Sequence, residues 1–284
     1  MFMNYRKFLV TSFTTLALSQ ALIFGQHIHI SAGALAETPG SRLAFDNAES
    51  FVTNSGYVIN LAIRLAGPAA GLYDGGPTFT ALAIEPGNGG PDPRHALRGS
   101  QIALQWVSLE GPKNGSLAFW ESPDCEEAAP ALTFKFTVGD PAPTNRFLLS
   151  QNRGEATADP YGHCHGRRFT TDTPGLYTLG VRLVDLSKNG PGGGPLHQPS
   201  ETNYLYFQAG ITIHRLELSP EGVTASFATR NFGTYTLEAT DSLSEEALWE
   251  TVGFPVGGDN HLQTIIDRSP RTDRRYFRLR YETE

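Results

Sequence analysis

Two of the spacings among the eight histidines are ones that chemistry can use: His27-Ile28-His29 and His163-Cys164-His165. In an extended chain, residues i and i+2 point to the same face, roughly 6–7 Å apart along the strand. Two imidazoles placed in this way can converge on one ion, at about 2.0–2.1 Å for a Zn–N bond. An all-imidazole set suits zinc, copper, nickel or iron, and a carboxylate-rich set would point to calcium instead. Outside the cytosol the expected cofactor is copper or zinc. His197 follows a Gly-rich loop and could bring a further ligand from a distance; His95 has the same status with less weight. His214 and His261 read as surface residues. The plainer account of all these histidines is that they are hydrogen-bonded structural groups flanking turns. One distance separates the two accounts. Rings of the two pairs within about 5 Å of each other would make a site, and a separation of about twenty would dissolve it.

The second pair sits in a distinctive segment, Asp159-Pro160-Tyr161-Gly162-His163-Cys164-His165-Gly166-Arg167-Arg168. Glycine on both sides permits a tight bend or a close backbone approach. Arg167 and Arg168 could orient a carboxylate or hold an anionic ligand. If the triplet is extended, Cys164 points away from both histidines. Cys125 and Cys164 are the two cysteines of the chain, and in an exported protein a disulfide between them is expected. The competing reading makes Cys164 a soft metal ligand.

Export is read from the first residues. Arg6 and Lys7 precede the uncharged apolar run Phe8–Phe24, a signal-peptide pattern over residues 1–25. No later apolar stretch is long enough to cross a bilayer, so the mature protein is expected to be secreted, periplasmic or on the cell surface, without a transmembrane anchor. The cleavage site decides the status of the first pair. Cleavage after Gln26 would make His27 an N-terminal residue whose amine and imidazole could chelate copper, as in the histidine brace of copper oxygenases. Cleavage after Gly25 would let Gln26 cyclise. Cleavage after Ala21 would leave the pair in a short tail.

The elements that must position these groups are strands. Thirty Gly and nineteen Pro punctuate short alternating segments: Tyr57–Leu65, Gln101–Leu109, Ser116–Trp120, Leu132–Val138, Leu176–Leu186 and Asn203–Phe207. Only Ser242–Trp249 suggests a helical turn or two. The loops Gly87–Pro93 and Asn189–Pro195 are rich in Gly and Pro and belong on the surface. From Ile211 onward six short segments follow in quick succession (ITIHRLELS, GVTASFA, TYTLEATDSL, WETVGFPV, HLQTIIDRS and RRYFRLRYE), the size and cadence of a small sandwich. The expectation is an all-β chain: residues 26–209 form a large β-sandwich-like domain carrying the histidines, and residues 210–284 form a small C-terminal β-sandwich. The arginines from Arg268 to Arg280 read as a solvated strand face rather than an anion-binding patch.

Two resemblances follow. An exported β-rich chain with an HxH near its start and a GHxH later resembles the secreted surface copper-binding proteins of methanotrophs (MopE/CorA type). That resemblance covers roughly His27 to Gly210 and implies copper ligation by His27, His29, His163 and His165. In those proteins an oxidised tryptophan is also a ligand. Here no Trp stands two residues from any histidine, so that ligand is not implied. The succession Tyr235-Thr236-Leu237-Glu238, Ser242-Leu243, Trp249, Asp267 and Tyr276-Phe277-Arg278-Leu279 resembles fibronectin-III-like or immunoglobulin-like modules, implying a spacer or docking role.

Other chemistries find no support. There is no Gly-x-Ser-x-Gly elbow, HExxH or phosphate-cradling GxxxxGK[ST], and no CxxC. A net charge of −7 argues against nucleic acid. The leading expectation is an exported protein that binds copper or zinc through its His-x-His pairs, with catalysis not expected. The alternatives are a non-catalytic adhesive or carbohydrate-binding sandwich with a glycan or cell-surface partner, and a mononuclear copper oxidase with an N-terminal histidine.

Overall fold

A computed structural model describes residues 28–46, 55–85, 94–122, 130–141, 144–269 and 274–283. They form an all-β chain of nineteen strands with a single 3-10 turn at Pro191–Gly193. Four strands make the sheet that matters most: β1 (His29–Ala34), β2 (Leu43–Asp46), β5 (Thr78–Ala81) and β10 (Gly162–Cys164), in the order β10-β5-β1-β2. A nine-stranded sheet takes β3 (Val58–Ile63), β4 (Tyr73–Gly75), β6 (Ile102–Glu110), β7 (Ser116–Glu121), β8 (Ala131–Thr137), β9 (Arg146–Leu148), β11 (Arg167–Thr171), β12 (Gly175–Asp185) and β13 (Asn203–Ala209). Its order is β8-β7-β11-β4-β3-β13-β12-β6-β9. The alternating segments of the sequence become β3, β6, β7, β8, β12 and β13 almost residue for residue.

The inner faces of these sheets meet over an aromatic core. Phe79 of β5 packs edge-on against Phe147 at 5.5 Å and lies 6.2 Å from Phe169. Trp106 stacks on Phe169 at 5.8 Å, and Phe169 stacks on Phe207 at 4.7 Å. One continuous apolar cluster runs from Ile28 to Ala209. On β5 the strand period of two does double work. Phe79 and Ala81 face this core, and Thr78 and Thr80 face the opposite way.

A separate apolar cluster, built on Ala225, Phe227, Tyr235, Leu237 and Ile265, belongs to the last six strands. These are β14 (Ile213–Ser219), β15 (Gly222–Ala228), β16 (Gly233–Thr240), β17 (Glu250–Gly257), β18 (Leu262–Asp267) and β19 (Tyr276–Thr283). They form two three-stranded sheets, β14-β15-β18 and β17-β16-β19. Residues 242–249, where a helical turn was expected, contain only turns and bends. The Ser242 and Thr240 hydroxyls there bond nearby backbone N–H groups and so compete with a helix. Polar contacts tie the module to the larger body. Asn60 Nδ2 donates to the Thr229 carbonyl and to Asn260 Oδ1, each at 3.1 Å, and the Val58 N–H reaches the Asn260 carbonyl at 2.7 Å. The arginines in and just before β19 face carboxylates: Arg278 and Arg280 both bond Glu238, and Arg275 bonds Asp267 and Asp241.

Candidate functional site

β5 lies between β1, which runs parallel to it, and β10, which runs antiparallel. His29 pairs with Thr78 and His163 with Thr80. Cross-strand partners share a face, so both histidines stand on the outer side of this sheet, flanking the two threonines. The strands carrying them are two spacings apart, about 9–10 Å. A bulky side chain on β5 would keep the rings apart. Threonines let them lean inward over the strand, and both threonines are buried. The His29 and His163 ring centroids are 5.1 Å apart. His165, just past the end of β10, completes a triangle, 4.5 Å from His163 and 6.4 Å from His29.

Hydrogen bonds orient the second pair. Thr80 Oγ1 lies 3.2 Å from His163 Nδ1, and His163 Nε2 lies 2.6 Å from His165 Nε2. Two neutral imidazoles in such contact need one N–H and one lone pair. Two assignments satisfy both contacts: Nδ1–H of His163 donates to Thr80 and its Nε2 accepts from His165, or the Thr80 hydroxyl donates to Nδ1 and Nε2–H of His163 donates to His165. Among the described residues no group of three or more His, Cys, Asp or Glu side chains stands ready as a metal centre. Two nitrogens sharing a tetrahedral ion at about 2.0–2.1 Å lie roughly 3.3 Å apart, so the Nε2 pair of His163 and His165 would have to open by about 0.7 Å.

The remaining candidates fall elsewhere. His27 and Cys125 lie outside the described residues, as does the loop Gly87–Pro93 apart from its neighbours. Cys164 is buried on the core side of β10, away from both flanking histidines, which places it on the wrong face for a shared ligand set; no free cysteine occurs among the described residues. His197 does not join the cluster. It is 1% exposed, its Nε2 accepts from the Leu97 N–H at 3.0 Å, and its Nδ1 lies 3.0 Å from the Ser41 carbonyl. With one nitrogen accepting and the other donating, neither is left for an ion. The His197 backbone is held as well. Buried Asp185 accepts from the N–H groups of Gln101, Ser187, Leu196 and His197 at 2.9–3.1 Å, which closes the Gly-rich loop into a fixed corner. His95 pairs with Glu37, and His261 packs edge-on against Tyr57 where the two bodies meet.

Burial holds the His197 imidazole below its ordinary pKa, against the opposing effects of the Ser41 carbonyl and Asp185. A histidine shifted down contributes its full stability above the unfolded value of about 6.5 and loses it as pH falls below that, because the unfolded chain takes the proton more readily. A His197→Gln variant is therefore expected to lower the melting temperature at pH 8, and to show a shallower loss of stability between pH 7 and 5 than the parent. Its metal retention should be unchanged. Thermal melts across that range, with metal analysis at pH 8, check both parts.

The arginines beside the pair serve the fold. Arg167 reaches Glu121 at 3.1 Å and the Leu148 carbonyl, with its guanidinium over the Phe147 ring; Arg168 bonds Asp74. Sequence reasoning missed Thr78 and Thr80. Their signal was the short alternation Thr-Phe-Thr-Ala after Gly75-Gly76-Pro77. His29 also differs from the tail that one cleavage site would have implied. It opens an interior strand whose next residue, Ile30, is fully buried. Comparison of the chain with protein-family models, with curated proteins and with solved structures returns no match.

Proposed function

We propose that this chain is an exported protein that takes up one copper or zinc ion on His29, His163 and His165, acting in metal capture or sensing at the cell surface or in the periplasm. The observation that carries this reading is the convergence of three imidazoles, two of them more than 130 positions from the third in sequence, on one outer patch of a sheet. Histidines serving only as turn-flanking hydrogen-bond groups have no reason to gather from distant segments. Nitrogen donors without a carboxylate favour copper or zinc over calcium. Binding replaces the proton shared between His163 and His165, and Thr80 holds the His163 ring so that Nε2 faces the ion. His27, two positions before His29, is the next residue to test as a ligand. A Cys125–Cys164 disulfide is part of the same reading. In the chain-entropy model it contributes roughly 4 kcal/mol, and it holds β10 from the core side.

Purified mature protein is expected to retain close to one equivalent of copper or zinc after desalting, with the melting temperature rising on metal addition. Absence of bound metal, together with no thermal shift on adding either ion, would sink the proposal. Removing the Thr80 hydroxyl gives a finer check. Thr80→Val keeps every ligand and the shape of β5, yet affinity is expected to fall by about 10–100-fold, as for loss of other groups that orient a ligand. A competition titration with a chromogenic chelator reads the change.

A further inference from the structure

We propose that β14 is a self-complementary edge through which two copies of this chain associate as an antiparallel strand pair centred on Leu216. Three observations converge on it. First, among the described residues β14 is an outer strand of its sheet, pairing only with β15. Its far side therefore presents backbone donors and acceptors that another strand can take up.

Second, among the described residues its inner face is left uncovered. Leu216 is the cross-strand partner of Ala225 and Leu218 of Val223, and Ala225 in turn pairs with core Ile265. Partners share a face, so both leucines lie on the core side of the sheet. They are nevertheless 52% and 68% exposed. The opposite sheet ends at β19, and an open groove of about 480 Å³ runs between the two strands, lined by Ile211, Ile213, Leu216, Phe277 and Leu279. Core-facing leucines standing beyond the last strand of the opposite sheet mark a side of the sandwich that no described residue covers.

Third, the charges choose the neighbour. On the outer face of β14, Arg215 and Glu217 stand symmetrically about Leu216 and pair with each other at 2.5 Å within one chain; both are exposed, so each can exchange that partner for its counterpart across a strand pair. In an antiparallel pair centred there, Arg215 lies opposite Glu217 of the partner subunit, and Glu217 lies opposite Arg215 of the partner subunit. Leu216 meets Leu216 of the partner subunit, and each Leu218 lies on the same face opposite His214 of the partner subunit. The surface patch is the same on both copies, as a two-fold interface requires. The other outer strands of these two sheets are β17, β18 and β19; the last carries Arg278 and Arg280, so pairing it with itself would set arginine close to arginine.

The test is the oligomeric state of the full chain, measured by light scattering coupled to size exclusion and by sedimentation over a concentration series. The parent is expected to approach twice the chain mass as concentration rises. Arg215→Glu alone, or Glu217→Arg alone, sets like charges opposite each other and is expected to weaken dimerisation by roughly tenfold or more. The double exchange Arg215→Glu/Glu217→Arg recreates both pairs with their signs reversed and is expected to restore the dimer. These side chains are exposed, so unchanged circular dichroism and melting temperature will show that the monomeric variants are folded. A parent that stays monomeric at several hundred micromolar, about the range of weak association, overturns the proposal. So do single variants that dimerise as well as the parent, or a double exchange that fails to restore association.

Discussion

Replacing His163 and His165 together by alanine is expected to abolish retention of copper or zinc, with affinity falling about 1,000-fold or more. Losing a residue that merely orients a ligand costs roughly 10–100-fold, so losing two ligands must exceed that for each. The effect on the metal-free fold is expected to be small. His165 is exposed and His163 only half-buried, and substitutions at such positions usually change stability by no more than about 0.5–1 kcal/mol. The contrast appears on adding metal. At about a hundredfold excess over Kd, an ion that binds only the folded state stabilises it by roughly 2.7 kcal/mol. For a chain of this size that is about 5–10 °C in the melting temperature. The parent should show this rise, and the double variant should melt at one temperature with or without metal. A structural role for the two rings predicts the reverse, a variant that melts lower than the parent in chelator and a parent indifferent to the ion. His29→Ala extends the logic across the sheet, because a site built only from the neighbouring pair would not respond to it.

The three-ring patch also shows which parts of this protein the sequence discloses. Strands with one face in the core alternate visibly, and Gln101–Leu109 and Leu176–Leu186 could be placed to within a residue or two. Short strands were lost. β4, β9 and β10 have three residues each, too few for a period of two to stand out from chance. β1 was hidden for another reason, since its apolar residues follow directly on an apolar leader-like run. For His163 and His165 the spacing marked side chains that share a face, and the opposed direction of Cys164 followed from the same rule. What spacing cannot carry is the pairing of distant strands. That His29 and His163 flank one strand depends on β5 joining β1 and β10, a contact between segments far apart in the chain. His197 misled because a histidine after a Gly-rich loop looks available. The Asp185 carboxylate that gathers four backbone N–H groups, and so buries that histidine, has no local signature.

A Gly162→Ala variant is expected to weaken the fold and the metal site together while leaving every ligand in place. A Cβ built at Gly162 would fall 1.6 Å from the Leu149 carbonyl oxygen and 2.7 Å from its carbon. Those are backbone atoms, so no rotamer change relieves the contact. One strand must move away from the other. The segment that would yield is well held. Leu149 and Ser150 both donate backbone N–H bonds to the Ile102 carbonyl, which fixes the segment to β6. Displacement therefore falls on β10, whose three-residue register against β5 sets the position of His163 over Thr80. Overpacking of this kind costs about 3 kcal/mol, at the upper end for one added carbon because the obstacle is main chain. A shift of about 1 Å in β10 would also carry His163 and His165 away from His29, so affinity is expected to drop by roughly tenfold or more even where the variant is fully folded. Chemical denaturation gives the first quantity, and a chelator competition at a temperature well below the melt gives the second. The glycine before the histidine pair then has a definite role. It lets β10 lie close against the 149–151 segment, and that close fit holds two of the three imidazoles within reach of the third. A Gly162→Ala protein with the parent's stability and metal affinity would show that the β10 register does not set the site.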